Sequence, residues 1–252
     1  MTHDPVPALG TRLTGRLVLP DEVVADGAVV LDGPTIVYAG PCAALPAHLG
    51  AVPEPVGWPA GRTLLPGLVD IHCHGGNGGE FGADVGASRV AAAHHHRRGT
   101  TTVVASLVSH TRAALVGGVR TGAALVADGT LAGVHLEGPF LSYRYRGAQN
   151  PDALREVDYS LLDDLVQAAG DRGDAIAQMT FAPERDVAGT LPRWLADHGI
   201  TPAVGHTGAS VGQVRAALDA AATSLGAAGS PLVTHVFNGM PSLHHREPGP
   251  VA

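Results

Sequence analysis

Apolar and polar residues follow two different rhythms along this chain. Up to about residue 60 the apolar runs are short and broken by turn residues: 13–19, 27–31 and, beyond the Asp32-Gly33-Pro34 turn, 35–39. That alternation predicts a small β unit. Residues 41–59 are rich in Pro, Ala and Gly without a period and read as a connector. From Thr63 the texture changes, and nearly continuous apolar runs alternate with amphipathic stretches. Residues 64–72 enter a first strand, and further strands are predicted over 101–107, 131–136, 175–181, 200–205 and 232–236. Helices are predicted over 87–97, 112–127, 161–169, 191–198 and 211–222. Short strands apolar on both faces, each followed by a helix, are the pattern of a parallel sheet covered by helices.

An open doubly wound sheet and a (β/α)8 barrel both fit that rhythm. The polar residues separate them. Asp70, His72 and His74 stand at the C-terminal end of the first strand, Glu137 at the third, His206 at the fifth and His235 at the sixth. A barrel gathers its strand ends around one mouth, whereas an open sheet spreads them along a line. The prediction is therefore a TIM-type barrel over 61–252, preceded by a small β portion over 1–60. From Pro66 to Ala252 the chain is shorter than the roughly 250 residues of a complete barrel. Strands seven and eight are expected beyond its end, which makes it a fragment or a truncated product of a longer protein.

Composition narrows the chemistry. The net charge is −7, and only 15% of residues are charged, so nucleic acid and acidic lipid are poor partners. Every basic residue is Arg, which excludes a Schiff-base lysine, a phosphate-loop lysine and a carbamylated-lysine metal bridge. Cys42 and Cys73 are the only cysteines, too few for a disulfide scaffold, and the N-terminal Met1 to Pro7 has no signal-peptide pattern. No apolar run approaches the roughly 20 residues of a membrane span. A soluble cytoplasmic protein is expected.

His72 and His74, two apart on an extended segment, share a face and can clasp one divalent ion. Glu137, a carboxylate ending an apolar strand, is costly unless paired or metal-bound, and with no lysine it is the natural bridge between two metals. His206 and His235 each end an apolar strand. Together the five make a nitrogen and oxygen donor set suited to Zn²⁺, Fe²⁺, Co²⁺ or Mn²⁺. Cys73 points away from the histidine pair in a regular strand and reads as packing. His135, deeper on the face of Glu137, reads as a supporting residue, and Asp70 as one that orients the ligands. His94, His95 and His96 are consecutive on a helix and cannot all face one site; they read as a solvated or partly buried face. Arg246, Arg144 and Arg146 are alternative clamps for a phosphate.

These residues carry a likeness. Pro66-Gly67-Leu68-Val69-Asp70-Ile71-His72-Cys73-His74-Gly75, Leu136-Glu137-Gly138-Pro139-Phe140-Leu141, Gly147-Ala148-Gln149-Asn150-Pro151, Gly205-His206-Thr207 and Thr234-His235-Val236-Phe237-Asn238-Gly239-Met240-Pro241, in this order, resemble the amidohydrolase superfamily and, within it, the N-acetylglucosamine-6-phosphate deacetylases. The likeness covers nearly the whole chain. It implies Glu137, His206 and His235 as principal metal ligands, with His72 and His74 serving a second metal that some members lack. Zn or Fe is implied, one or two ions per subunit. Ala148, Gln149, Asn238 and Gly239 would meet the sugar, and Arg246 the 6-phosphate across a homodimer interface. The N-terminal segment resembles half of a small β-sandwich. Family members usually carry His where Gln149 stands, and Gln cannot carry an imidazolium charge. The family's catalytic aspartate would lie beyond Ala252, so no catalytic residue is assigned.

The reaction implied is metal-assisted hydrolysis of an acetamide to glucosamine 6-phosphate and acetate. The 252-residue chain alone is expected to be inactive or nearly so. A cyclic-amide hydrolase is a rival reading, against which the missing lysine counts; a non-catalytic, degenerate metal-binding fragment is another.

Overall fold

The computed structural model of the protein describes residues 10–82, 84–170 and 173–252. Met1 to Pro7, read above as lacking a signal peptide, lie outside the described residues. The chain divides into two units, Met1–Gly67 and Leu68–Ala252.

The first unit is a four-stranded sheet. Strands β1 (Thr11–Val18), β2 (Val23–Asp32) and β3 (Thr35–Pro41) run antiparallel, and β2 turns into β3 through Gly33 and Pro34. A short helix α1 (Ala47–Gly50) follows, then β4 (Thr63–Leu64), which pairs parallel with Arg16 and Leu17 of β1. The stretch read as a connector thus contains structure. Leu49 and Val52 are buried there against Val30, with Tyr38 and Leu45 packed on them. One helical turn is too short to leave a period in the sequence.

The second unit opens with β5 (Leu68–Cys73) and the small hairpin β6 (Gly75–Gly76) and β7 (Gly79–Glu80). There follow α2 (Val85–His96), β8 (Thr100–Val108), α3 (Arg112–Ala127), β9 (Gly133–Glu137) and α4 (Tyr159–Ala168). Then come β10 (Ile176–Phe181), α5 (Leu191–Asp197), β11 (Thr201–Val204), α6 (Val211–Leu225) and β12 (Leu232–Val233). Side-chain caps set the helix starts: Asp84, Thr111 and Asp158 each accept a backbone N–H in the first turn, and Ser210 and Gln213 form a reciprocal capping box.

The six main strands are parallel and lie in chain order, β5-β8-β9-β10-β11-β12. A doubly wound sheet reverses its order at a switch point; this sheet never reverses, so it winds in one direction as an incomplete (β/α)8 barrel. The inner strands are the most buried, with all five residues of β9 enclosed. The core between sheet and helices is built on Leu136, Phe140, Leu165, Met179, Leu195 and Ile200. The outer strands, each with a single neighbour, expose Leu68, Val69, Ile71 and Val233.

The sheet departs from regularity at several places, two of them beside the polar strand ends. The sixth strand stops at Val233 rather than running to residue 236. Thr234 N–H donates to Val204 C=O, and the chain then turns at His235, whose φ is 57°. In β5 the register slips: Asp70 pairs with Val103 and Cys73 with Ala105, so three steps on β5 match two on β8. A bulge of this kind changes which residues share a face. No helix among the described residues is long and apolar enough to cross a membrane.

Candidate metal centre

Parallel strands in chain order bring their C-terminal ends to one side, and the imidazoles meet there around Glu137. This carboxylate is 2% exposed. Its Oε1 lies 3.3 Å from His72 Nε2, 3.1 Å from His206 Nε2 and 2.8 Å from His235 Nε2. Its Oε2 lies 3.1 Å from His74 Nε2 and accepts a hydrogen bond of 2.8 Å from Gln149 Nε2. His72, Glu137 and His235 place one donor atom each within 4.8 Å of one another.

The other ends of two rings decide the chemistry. His74 Nδ1 lies 3.1 Å from the Ser106 carbonyl oxygen and His206 Nδ1 2.8 Å from that of Tyr145. A carbonyl only accepts, so each Nδ1 must carry a proton. A neutral ring then turns a bare lone pair at Nε2 toward the carboxylate. Lone pair against lone pair is relieved by a second ring proton or by a cation between them. Donor atoms on a sphere of about 2.1 Å sit about 3.0 Å apart in an octahedron and about 3.4 Å in a tetrahedron, close to the spacings here. The donor set therefore fits a divalent ion.

Electrostatics point the same way. Burial works against the Glu137 carboxylate, but hydrogen bonds from His206, His72 and His74 outweigh it and hold the carboxyl well below the usual carboxylate range. The hydrogen bond to Glu137 raises His74 above an ordinary imidazole despite its burial. Burial opposes the same rise at His206, yet Glu137 and the Tyr145 carbonyl prevail. At His235 burial wins and the pKa falls.

Both His206 and His235 adopt left-handed backbone, with φ of 48° and 57°. Two glycines also in that region, Gly147 and Gly239, press against the His206 ring; a Cβ on Gly239 would come within 3.3 Å of His206 Nδ1. Below the cluster lies a layer of polar contacts around His135, whose partners sequence reasoning missed. His135 is fully buried, with Nδ1 2.8 Å from Ser106 Oγ and Nε2 2.7 Å from Thr180 Oγ1, which in turn meets Thr234 Oγ1 at 2.8 Å. Burial, with the neighbouring His72, lowers the His135 pKa to about 3 and keeps the ring neutral. A serine in β8 and a threonine in β10, among apolar neighbours, were the available signal. Glu184, accepting from Thr207 Oγ1 and Gly208 N–H, ties down the loop after β11 and was likewise missed.

A cavity of about 360 Å³ opens over the cluster, lined by His74, Glu137, His206 and His235 together with Gly147, Ala148, Gln149, Asn238 and Gly239. Gln149 accepts from Ser109 N–H at 2.7 Å and donates to Glu137, so its amide braces the carboxylate. Asp70 accepts the His72 N–H at 3.1 Å. Arg246 is exposed and does not line the cavity. The guanidinium of Arg144 lies over Tyr145 and that of Arg146 over Tyr143.

No family model matches the chain. Individual proteins do. It is 33% identical over 199 residues to the N-acetylglucosamine-6-phosphate deacetylase of Bacillus subtilis, a match covering 76% of this chain and 48% of that protein. It is 32% identical over 198 residues to the N-acetylgalactosamine-6-phosphate deacetylase of Escherichia coli O157:H7, covering 75% and 49%. The crystal structure of N-acetyl-D-glucosamine-6-phosphate deacetylase from Mycobacterium smegmatis superposes with a TM-score of 0.83 at 34% identity, over 96% of this chain and 60% of that one. A mutant of that enzyme has been solved in complex with N-acetyl-D-glucosamine-6-phosphate. The chain spans about half the length of the curated relatives it matches. Sequence and fold agree: the chain belongs to the N-acetylglucosamine-6-phosphate deacetylase family.

Proposed function

We propose that this chain supplies the metal centre and one wall of the sugar site for hydrolysis of the acetamide of N-acetylglucosamine 6-phosphate to glucosamine 6-phosphate and acetate. The observation that carries the reading is the convergence of Glu137 with four imidazoles beneath a cavity whose rim is formed by residues 147–149 and 238–239. Glu137, His206 and His235 hold the principal ion, with His72 and His74 completing the set; Zn or Fe fits the nitrogen and oxygen donors, one or two ions per subunit. When bound, such an ion supplies Lewis acidity toward an amide carbonyl and water activated near neutral pH.

The chain's own residues do the rest. Ser106 and Tyr145 fix the ring tautomers of His74 and His206, and Gln149 holds the second oxygen of Glu137. Ala148, Gln149, Asn238 and Gly239 face the sugar. Arg246 takes the 6-phosphate from the neighbouring subunit of a homodimer, in keeping with its exposure away from the cavity of its own chain. The acid–base role is assigned to no residue here, and Asp70 is already engaged with His72. The two free cysteines fit a cytoplasmic protein.

The test measures both calorimetric binding of N-acetylglucosamine 6-phosphate and acetate release by the 252-residue chain in Zn²⁺ buffer. Binding that needs both the metal and the 6-phosphate, with little or no turnover, is expected. Binding indifferent to metal or phosphate, or hydrolysis of a cyclic amide instead, overturns the reading.

A further inference from the structure

The bulge in β5 gives that strand a second use. In a regular strand Asp70 shares the face of His72 and turns away from Cys73. Here the slipped register against Val103 and Ala105 puts Asp70 and Cys73 on one face, toward α2, while His72 and His74 turn to the mouth. His95 of α2 completes the group. Donor atoms of Asp70, Cys73 and His95 lie within 4.8 Å of one another. Cys73 Sγ is 3.1 Å from His95 Nε2, and the Gly75 carbonyl oxygen is 3.3 Å from Sγ and 3.1 Å from Nε2. Gly76 leaves room for the ring, since a Cβ there would come within 3.0 Å of His95 Nε2. His95, read from sequence mainly as part of a solvated or partly buried face with metal binding as the minor alternative, points at a thiol.

We propose that Cys73, His95, Asp70 and the Gly75 carbonyl form a second metal site, separate from the Glu137 cluster and selective for a thiophilic divalent ion such as Zn²⁺. The Gly75 oxygen only accepts, so in the metal-free protein the hydrogens on Sγ and Nε2 are given to it or shared between sulfur and nitrogen. A cation replaces both hydrogens: the thiol proton leaves to solvent and the ring proton moves to Nδ1. The four donors then comprise one thiolate, one imidazole, one carboxylate and one carbonyl. The 3.1–3.3 Å separations of Sγ, Nε2 and the Gly75 oxygen are a few tenths of an ångström inside the roughly 3.4–3.6 Å of a tetrahedral zinc sphere, and the Asp70 carboxylate lies within 4.8 Å of sulfur and nitrogen. All three side chains are half-buried, so an ion has access from solvent. Thiolate and imidazole favour zinc or cobalt over magnesium or calcium. Because the site joins α2 to the end of β5, the bound ion would act as a staple between them.

The two sites are told apart by sulfur, which the Glu137 cluster lacks. Co²⁺ is titrated under argon into the metal-free 252-residue chain, with far-ultraviolet circular dichroism confirming the fold of each variant. A thiolate-to-cobalt charge-transfer band is expected. It should vanish in Cys73→Ser, persist in Cys42→Ser and in Glu137→Gln, and need at least about tenfold more cobalt in His95→Gln. If Cys73→Ser does not fold, protection of Cys73 by Zn²⁺ against an alkylating reagent in the Cys42→Ser background gives the same answer. Saturation with cobalt without a thiolate band overturns the site. So does a band with an unchanged midpoint in His95→Gln, since Cys73 would then be serving the mouth.

Discussion

Replacing Glu137 by Gln keeps the side chain's volume and removes its charge. The carboxylate is 2% exposed, and its two oxygens are met by five side chains at 2.8–3.3 Å. Removing one charged member of a buried ionic set costs about 3–5 kcal/mol. Spent on the metal, that is a rise of about two to three and a half powers of ten in the dissociation constant. The consequence is readable as heat resistance. Zn²⁺ at a hundred times its dissociation constant adds about 2.7 kcal/mol to the stability of the wild-type chain. For a domain of this size that raises Tm by about 5–11 °C. The same Zn²⁺ concentration lies below the dissociation constant of the variant and shifts its Tm by about 1 °C or less. The assay is differential scanning calorimetry with and without Zn²⁺ after treatment with a chelator, with Cys73→Ser in both proteins so that only the Glu137 cluster responds, and far-ultraviolet circular dichroism establishes that the variant folds. A folded Glu137→Gln protein that gains as much from Zn²⁺ as the wild type would refute the idea that this carboxylate is the hub of the cluster.

Packing and charge set three further outcomes. Gly79→Ala puts a Cβ 2.3 Å from the Ala87 carbonyl oxygen on the backbone of α2; a stability lower by about 1–3 kcal/mol is expected, read as a lower denaturant midpoint at unchanged m. His135, with a pKa near 3 set by burial and by His72 against the pull of Glu137, with His74 and His235 adding to the fall, binds a proton more readily unfolded than folded. Its contribution to stability is complete above about pH 6.5 and is lost as the pH falls from there toward 3, so urea titrations of His135→Gln between those limits should show a shallower acid slope than the wild type. Arg112→Ala removes a partly exposed ion pair to Asp164 and Asp158 and a contact to Ser160; a loss below about 1 kcal/mol is expected in the same titration, solvent screening keeping it small.

Much of the barrel was legible because each strand is a short apolar run closed by a polar residue, and α3 falls on the residues its periodicity marks out. The gathering of His72, His74, His206 and His235 around Glu137 follows from strand order, which a βα rhythm carries. What stayed hidden depends on register. Ser106 pairs with His135 and Thr180 with Glu137 across neighbouring strands, and no spacing within one strand reveals the buried layer that Ser106, His135 and Thr180 form. The β5 bulge is hidden for the same reason: alternation along one strand assigns Asp70 to the wrong face, and only the pairing with β8 exposes the slip. The early end of β12 reflects a backbone turn at His235 that apolar Val236 and Phe237 concealed. Arg246 was recognisable as a cation, but its exposure is set by a tail without strand or helix periodicity.

The left-handed backbone at His206 and His235 sets folding stability against ligand geometry. A side chain other than glycine's held in a sparsely populated backbone region costs on the order of 1–3 kcal/mol, against a total folding free energy of about 5–15 kcal/mol. Glycine at either position would relax the backbone but delete a donor and strip a partner from the buried Glu137 carboxylate, a loss that offsets the strain relieved. The carboxylate therefore holds the strain in place, and glycine at either position should cost less stability in a chain that carries Glu137→Gln than in the wild type.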